Sequence, residues 1–283
     1  MKSILELTKI KITILTTLSG LMGYYVAAGL MDVSFFMVGA GLFLLASGSS
    51  ALNQFQERDW DAQMSRTKER PIPAGKIQPG AALLISFLLI IAGLGFIYAA
   101  GHVWALLFGM LAVVWYNFIY TPLKRISAFA VVPGAVIGSI PPAIGWVAAG
   151  RNLSDPVILV LMFFFFIWQI PHFWMLLLIL SPQYEKAGYP SLLKVFNSQQ
   201  LGRLTFIWTL ATIVTSMMLP LFGILRHPIL FFLLLIVIIW VLKESLVFLS
   251  LNKMNHFNIR RNFMAINVYA LSVIALIIVQ VGI

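Results

Sequence analysis

The sequence predicts an all-α fold, a polytopic integral membrane protein built as a bundle of nine transmembrane helices, on three observations. Of its 283 residues 61% are hydrophobic and 10% charged, whereas a water-soluble domain is nearer half apolar and about a quarter charged. The apolar residues fall in continuous runs of about 20, enough for a helix to cross a hydrocarbon core of about 30 Å; a β-barrel would alternate over segments of about ten. Finally, 17 of the 19 Lys and Arg collect on one side once the runs are threaded back and forth.

Reading apolar runs against polar breaks places the spans at 10–30, 34–52, 80–100, 103–120, 128–149, 156–180, 204–225, 228–250 and 263–283. Each is predicted helical because a backbone in lipid must satisfy its polar groups within its own segment. Spans 1 and 2 are separated by Met31–Ser34, spans 3 and 4 by a few residues near His102, spans 5 and 6 by Gly150–Asp155, and spans 7 and 8 by Arg226–Pro228. The loops 53–79 and 181–203 are long and lie on the other side, where function tends to gather. Residues 1–283 are expected to form a single transmembrane domain, and with the first span beginning by Ile10 no cleaved signal or transit peptide is expected. An odd span number puts the termini on opposite sides. The N-terminus and the loops after spans 2, 4, 6 and 8 carry the 17 cations, against Arg151 and Arg226 opposite. By the positive-inside rule this predicts a cytoplasmic N-terminus and an external C-terminus, and with no presequence expected the chain is expected in the cytoplasmic membrane of a prokaryote.

The composition also excludes function classes. The net charge of +10 on so apolar a chain fits topology and contact with anionic membrane lipids rather than nucleic acid. Zero cysteines remove disulfides, thiolate metal sites and Cys nucleophiles.

Four of the nine acids, Glu57, Asp59, Asp61 and Glu69, lie within thirteen residues. Asn53, Glu57 and Asp61 are spaced i, i+4, i+8, so they share one face if span 2 continues as helix. Oxygen ligands stacked at a membrane boundary suit Mg²⁺, which completes its shell with phosphate and water. Arg58, Arg66, Lys68 and Arg70 follow and can clamp a diphosphate. The competing reading is a solvated loop helix of alternating charge, which is preferred for Asp59 and Glu69.

Asn53-x-x-x-Glu57-x-x-x-Asp61 followed by Met64-x-Arg66-Thr67-x-x-Arg70-Pro71 resembles the first signature of the UbiA-type intramembrane prenyltransferases, most closely their haem branch, the protoheme IX farnesyltransferases. Lys9-Ile10-Lys11 stands where that branch has Lys-Pro-Arg, and Tyr120-Thr-Pro-Leu-Lys124-Arg125 matches its Tyr-x-x-x-Lys motif. Gly138–Trp146, Trp168-Gln169-Ile-Pro-His172-Phe-Trp174 and Arg260-Arg-Asn-Phe263 are similar to it as well. Two departures stand out. Glu57 replaces the usual Asp, and Gln183 occupies the acidic position of the second motif, with Glu185 two residues away.

The resemblance implies transfer of a farnesyl group from farnesyl diphosphate to a vinyl carbon of haem B, giving haem O. It implies Mg²⁺ as cofactor, either held mainly by Glu57 and Asp61 or with Glu185 brought in by an irregular loop as a substitute third carboxylate. Asn53 would position a water or phosphate oxygen. Arg66, Arg70 and Lys124 would contact the diphosphate, with Lys9 or Lys11 nearby. For Tyr120 a diphosphate hydrogen bond and an interfacial anchor both stay open. His172, with Trp168 and Gln169, would serve the haem as axial ligand or propionate donor. A haem A synthase or terminal oxidase is a partner at the level of the family alone. A prenyltransferase with another acceptor, a quinone-precursor aromatic or a lipid, is the alternative, followed by a non-catalytic haem-binding protein or a transporter. Transport would place ionisable residues mid-span, and apart from His172 there are almost none.

Overall fold

In the computed structural model the described residues are 2–100, 102–186, 188–190, 192–250 and 255–283, without the side chains of 181–186. Among them nine helices are long and apolar enough to cross a membrane: α1 (Ile10–Ala28), α2 (Val33–Asp61), α3 (Pro79–Ala99), α4 (Val103–Ile126), α5 (Val131–Ala148), α6 (Pro156–Lys186), α7 (Ser198–Leu221), α8 (Pro228–Ser245) and α9 (His256–Gly282). The chain is a multi-pass, all-helical membrane protein. A short helix, Lys2–Leu7, precedes α1.

The boundaries differ from the apolar runs where polar residues are enclosed by protein. The apolar run of span 2 ends at 52, yet α2 runs on to Asp61, about 43 Å at 1.5 Å per residue, because Asn53, Gln54, Glu57 and Asp61 are buried against other helices. Likewise α7 and α9 start before the predicted 204 and 263. Asn197 caps α7 with a capping box and Asn255 accepts from the Asn258 amide, which satisfies orphan amides at each N-terminus.

Helix α5 is the centre of the bundle: every residue from Ser139 to Ala148 is buried, and α1, α4 and α6 pack around it. Helix α9 closes the far side against α1, α6 and α8. Lipid-facing helices carry their apolar side chains outward, as with Leu84, Leu88 and Ile91 on α3 or Phe232, Ile236 and Ile239 on α8. Lipid is as apolar as these side chains, so close packing has to hold the helices together. The crossing of α2 and α3 shows how: Cβ atoms on Gly41 or Gly93 would fall within 3 Å of the facing backbone. The up-and-down threading brings the start of α1, the ends of α2 and α4 and the loop after α6 to one end of the bundle, the basic end.

Candidate active site

Asn53, Glu57 and Asp61 lie on successive turns of α2, each 5% exposed or less. One cation from a different part of the chain meets each of them. Lys9, at the start of α1, donates to Asn53 Oδ1 at 2.7 Å. Lys124, at the end of α4, sits 2.5 Å from Glu57 Oε1. Arg70, in the loop after α2, reaches Asp61 Oδ2 at 2.6 Å. Buried carboxylates survive only when paired, so the three cations here neutralise an acidic face otherwise shut away from water. Enclosure pushes the Lys9 ammonium down to about 7, and the positive Arg70 adds to the drop.

Local structure aims these groups. Helix α4 turns π-helical over Val114–Tyr120 before resuming as Thr121–Ile126; such turns recur at functional sites because they free carbonyls and re-aim side chains. Both carbonyl partners come from the site: Gln56 Nε2 donates to Asn117 O at 3.0 Å, and the Thr121 hydroxyl to Tyr116 O at 2.8 Å. Asn53 Nδ2 in turn donates to that Thr121 oxygen at 3.0 Å. Tyr116, Tyr120 and Lys124 thereby face the α2 carboxylates. The Tyr116 hydroxyl accepts from Lys9 at 3.4 Å, its ring stacks on Tyr120, and Lys124 lies 5.1 Å from the Tyr120 ring centre. From the loop after α6, the Tyr189 hydroxyl donates to Glu57 at 3.4 Å.

Not all of the expected diphosphate residues join this cluster. Lys11, Arg66 and Lys68 are exposed and make none of these cross-helix contacts. Arg58 folds back, donating to Phe55 O at 2.8 Å and lying over the Phe55 ring. The Glu185 side chain lies outside the described residues, as does that of Gln183. Sequence reasoning missed Tyr116, Thr121 and Tyr189. A signal for the first existed, since Tyr116, Tyr120 and Lys124 repeat the same i, i+4, i+8 spacing as the α2 acids.

The fit of a divalent cation can be judged from the donors. Among the described residues no group of three or more His, Asp or Glu comes together. Glu57, Asp61 and the Asn53 amide oxygen offer a one-sided oxygen set, and Mg²⁺ commonly takes one or two carboxylates, with waters and phosphate oxygens for the rest. The residues therefore suit Mg²⁺ arriving with a phosphorylated substrate.

Further into the bundle, α6 carries Trp168, Gln169 and His172 on neighbouring turns. The His172 ring lies 4.8 Å from Phe263, 5.1 Å from Trp168 and 5.3 Å from Phe173, centre to centre. Its Nδ1 is buried without a hydrogen-bond partner, as is Gln169 Oε1. Gln169 is accommodated because residue 138 is glycine: a Cβ there would overlap its amide oxygen. Trp168 is anchored by its indole N–H to Ile266 O at 3.0 Å.

Residues 13–268 match the UbiA prenyltransferase family. A protoheme IX farnesyltransferase of Oleidesulfovibrio alaskensis is 36% identical over 217 residues, 77% of each chain. One from Geobacter sulfurreducens is 36% identical over 78% of this chain and 82% of its own. Among solved structures, a digeranylgeranylglyceryl phosphate synthase superposes with TM-score 0.79 at 17% identity, over 99% of this chain and 98% of its own. A UbiA homologue from Archaeoglobus fulgidus bound to GPP and Mg²⁺ gives 0.65 at 12% identity, covering 97% and 99%. At those identities the likeness is one of fold.

Proposed function

Because the chain belongs to the UbiA prenyltransferase family and is a prenyltransferase, we propose that it transfers farnesyl from farnesyl diphosphate to a vinyl group of haem B, forming haem O. The observation that carries the reading is the buried Asn53–Glu57–Asp61 face with Lys9, Lys124 and Arg70 docked on it. Glu57 and Asp61 would hold Mg²⁺, whose charge supports departure of the diphosphate. The three cations would then turn from the carboxylates to the phosphate oxygens, with Tyr116, Tyr120 and Tyr189 as hydroxyl donors to the same group. The allylic C–O bond breaks with its electron pair leaving on diphosphate. The vinyl π pair forms the new C–C bond, and water adds to the resulting cation with loss of a proton. The allylic cation needs walls that exclude water and offer π faces until the vinyl group attacks, which Trp168, His172, Phe173 and Phe263 would supply. The unpartnered Nδ1 of His172 and Oε1 of Gln169 would meet the haem, His172 as axial ligand or propionate donor. The basic end would face the cytoplasm in the cell membrane, with the C-terminus outside, and residues 1–283 would act as one domain.

The test is mass spectrometry of haem extracted after incubating purified protein with haem B, farnesyl diphosphate and Mg²⁺, with and without EDTA. A hydroxyethylfarnesyl adduct that EDTA abolishes is the expected result. Diphosphate release with unmodified haem would move the reading to another acceptor.

A further inference from the structure

Lys9 is the only described non-glycine residue with a positive φ, at φ 49 and ψ 51. A side chain in the left-handed region costs on the order of 1–2 kcal/mol, so the surroundings must impose it. The link between the short N-terminal helix and α1 is held from three directions. The Thr8 hydroxyl donates to Ile4 O at 3.0 Å, and the Thr13 hydroxyl to Thr8 O at 2.8 Å. The third hold comes from outside the segment: Gln54 Nε2, on α2, donates to Glu6 O at 2.8 Å and to Leu7 O at 3.0 Å. Leu7 ends that helix, and the Glu6 carbonyl also accepts from the Lys9 amide at 3.3 Å, so one amide nitrogen ties both carbonyls to α2.

Gln54 is 1% exposed, and its own Oε1 is buried with no partner. A buried unsatisfied acceptor costs about 1–3 kcal/mol, which makes glutamine a poor residue here for stability alone. It adjoins Asn53, the residue that receives the Lys9 ammonium. One turn of α2 therefore grips both the backbone just before Lys9 and the tip of its side chain.

We propose that Gln54 is a positioning residue for prenyl diphosphate binding: by clamping the Glu6 and Leu7 carbonyls it fixes the left-handed Lys9 so that its ammonium enters the site. The idea rests on the function proposed above, in which Lys9 meets the diphosphate. Its test does not depend on the acceptor. Equilibrium binding of radiolabelled farnesyl diphosphate with Mg²⁺ is measured for wild type, Gln54→Leu, Lys9→Met and the double variant. Gln54→Leu keeps the volume and removes both donors, and it should weaken binding about tenfold in the wild-type background. With Lys9→Met already present it should weaken binding less than twofold, because contacting residues couple and independent ones add.

Equal weakening in both backgrounds, or none in either, would overturn the proposal. Gln54→Met provides a second donor-free variant; if both variants fail to yield folded protein, the clamp serves the bundle rather than Lys9 and the proposal is also overturned. As the chain has no cysteine, a spin label on Ser3→Cys reports the N-terminal helix alone, and Gln54→Leu should make it more mobile. An unchanged spectrum counts against the clamp. Wild-type protein that binds farnesyl diphosphate but leaves haem unmodified would sink only the choice of acceptor.

Discussion

The two ends of the bundle use their carboxylates in opposite ways. At the end away from the basic loops, charged side chains finish helices. Asp32 accepts from the Phe35 amide at 2.9 Å and from the Tyr24 hydroxyl at 2.8 Å, which hold its carboxyl below the usual range. Arg151 Nε donates to Ala27 O at 3.1 Å, Arg226 Nε to Gly223 O at 2.8 Å, and Gln280 accepts the Arg226 and His227 amides. At the basic end, charges instead meet charges across helices and bury an acidic face that no helix terminus requires. Polar groups that cap a terminus support the fold. Buried carboxylates that draw half-buried cations from three other segments, at a cost in desolvation, mark the place where an anionic substrate and its cation would be received.

The sharpest break of this comparison is a matched pair of acid substitutions. Asp61→Asn should lower haem farnesylation by about a thousandfold or more while leaving the folded protein intact, since it removes a carboxylate expected to bind the metal. Asp32→Ala should leave the rate within about twofold and lower the unfolding midpoint through the lost cap. Rates from extracted-haem mass spectrometry and thermal unfolding midpoints check both.

Next in size, Lys124→Met should destabilise the apo-protein by about 3 kcal/mol, because Glu57 loses its ion-pair partner in a buried setting. Adding Mg²⁺ with farnesyl diphosphate should recover part of that loss in a thermal-shift measurement. Gly138→Ala should then weaken haem use about tenfold through the displaced Gln169 amide, with the farnesyl diphosphate KM unchanged, because overfilling a packed site costs about 1–3 kcal/mol.

A smaller effect concerns pH. The native value of about 7 for Lys9 lies below the 10.5 of the free side chain, so the folded protein binds fewer protons than the unfolded chain between those limits. Stability gains from this group as pH rises through that window, whereas farnesyl diphosphate affinity, which wants the ammonium, falls above about 7. Lys9→Met should flatten the affinity profile. The smallest change is expected for Arg151→Gln at the opposite end, within about 1 kcal/mol in stability and none in rate.

Most of the fold was legible because lipid imposes a simple rule on span length and polarity. The Asn53–Glu57–Asp61 face was equally legible, since a spacing of four fixes phase wherever a helix continues. What escaped was set by departures from regular helix. The left-handed backbone at Lys9 decides that this residue enters the site while Lys11 points out, and a lysine carries no local signal for that conformation. Tyr116 shared its spacing with Tyr120 and Lys124, but the π turn over Val114–Tyr120 shifts the phase of α4, so Thr121 could not be placed from a 3.6-residue period. Arg66 and Lys68 share a loop with Arg70, and spacing alone does not separate the one that reaches Asp61. Tyr189 comes from a loop 132 positions from Glu57, a proximity that only tertiary structure creates.

Electron paramagnetic resonance of Mn²⁺, a spectroscopic substitute for Mg²⁺, tests most directly whether the buried acidic face receives a metal and a diphosphate together. With farnesyl diphosphate present, wild-type protein should bind one Mn²⁺ per chain and show phosphorus coupling, and both signals should vanish in Glu57→Gln and Asp61→Asn. Mn²⁺ held with the same affinity and the same phosphorus coupling in both variants would contradict the assignment and place the metal–diphosphate site elsewhere.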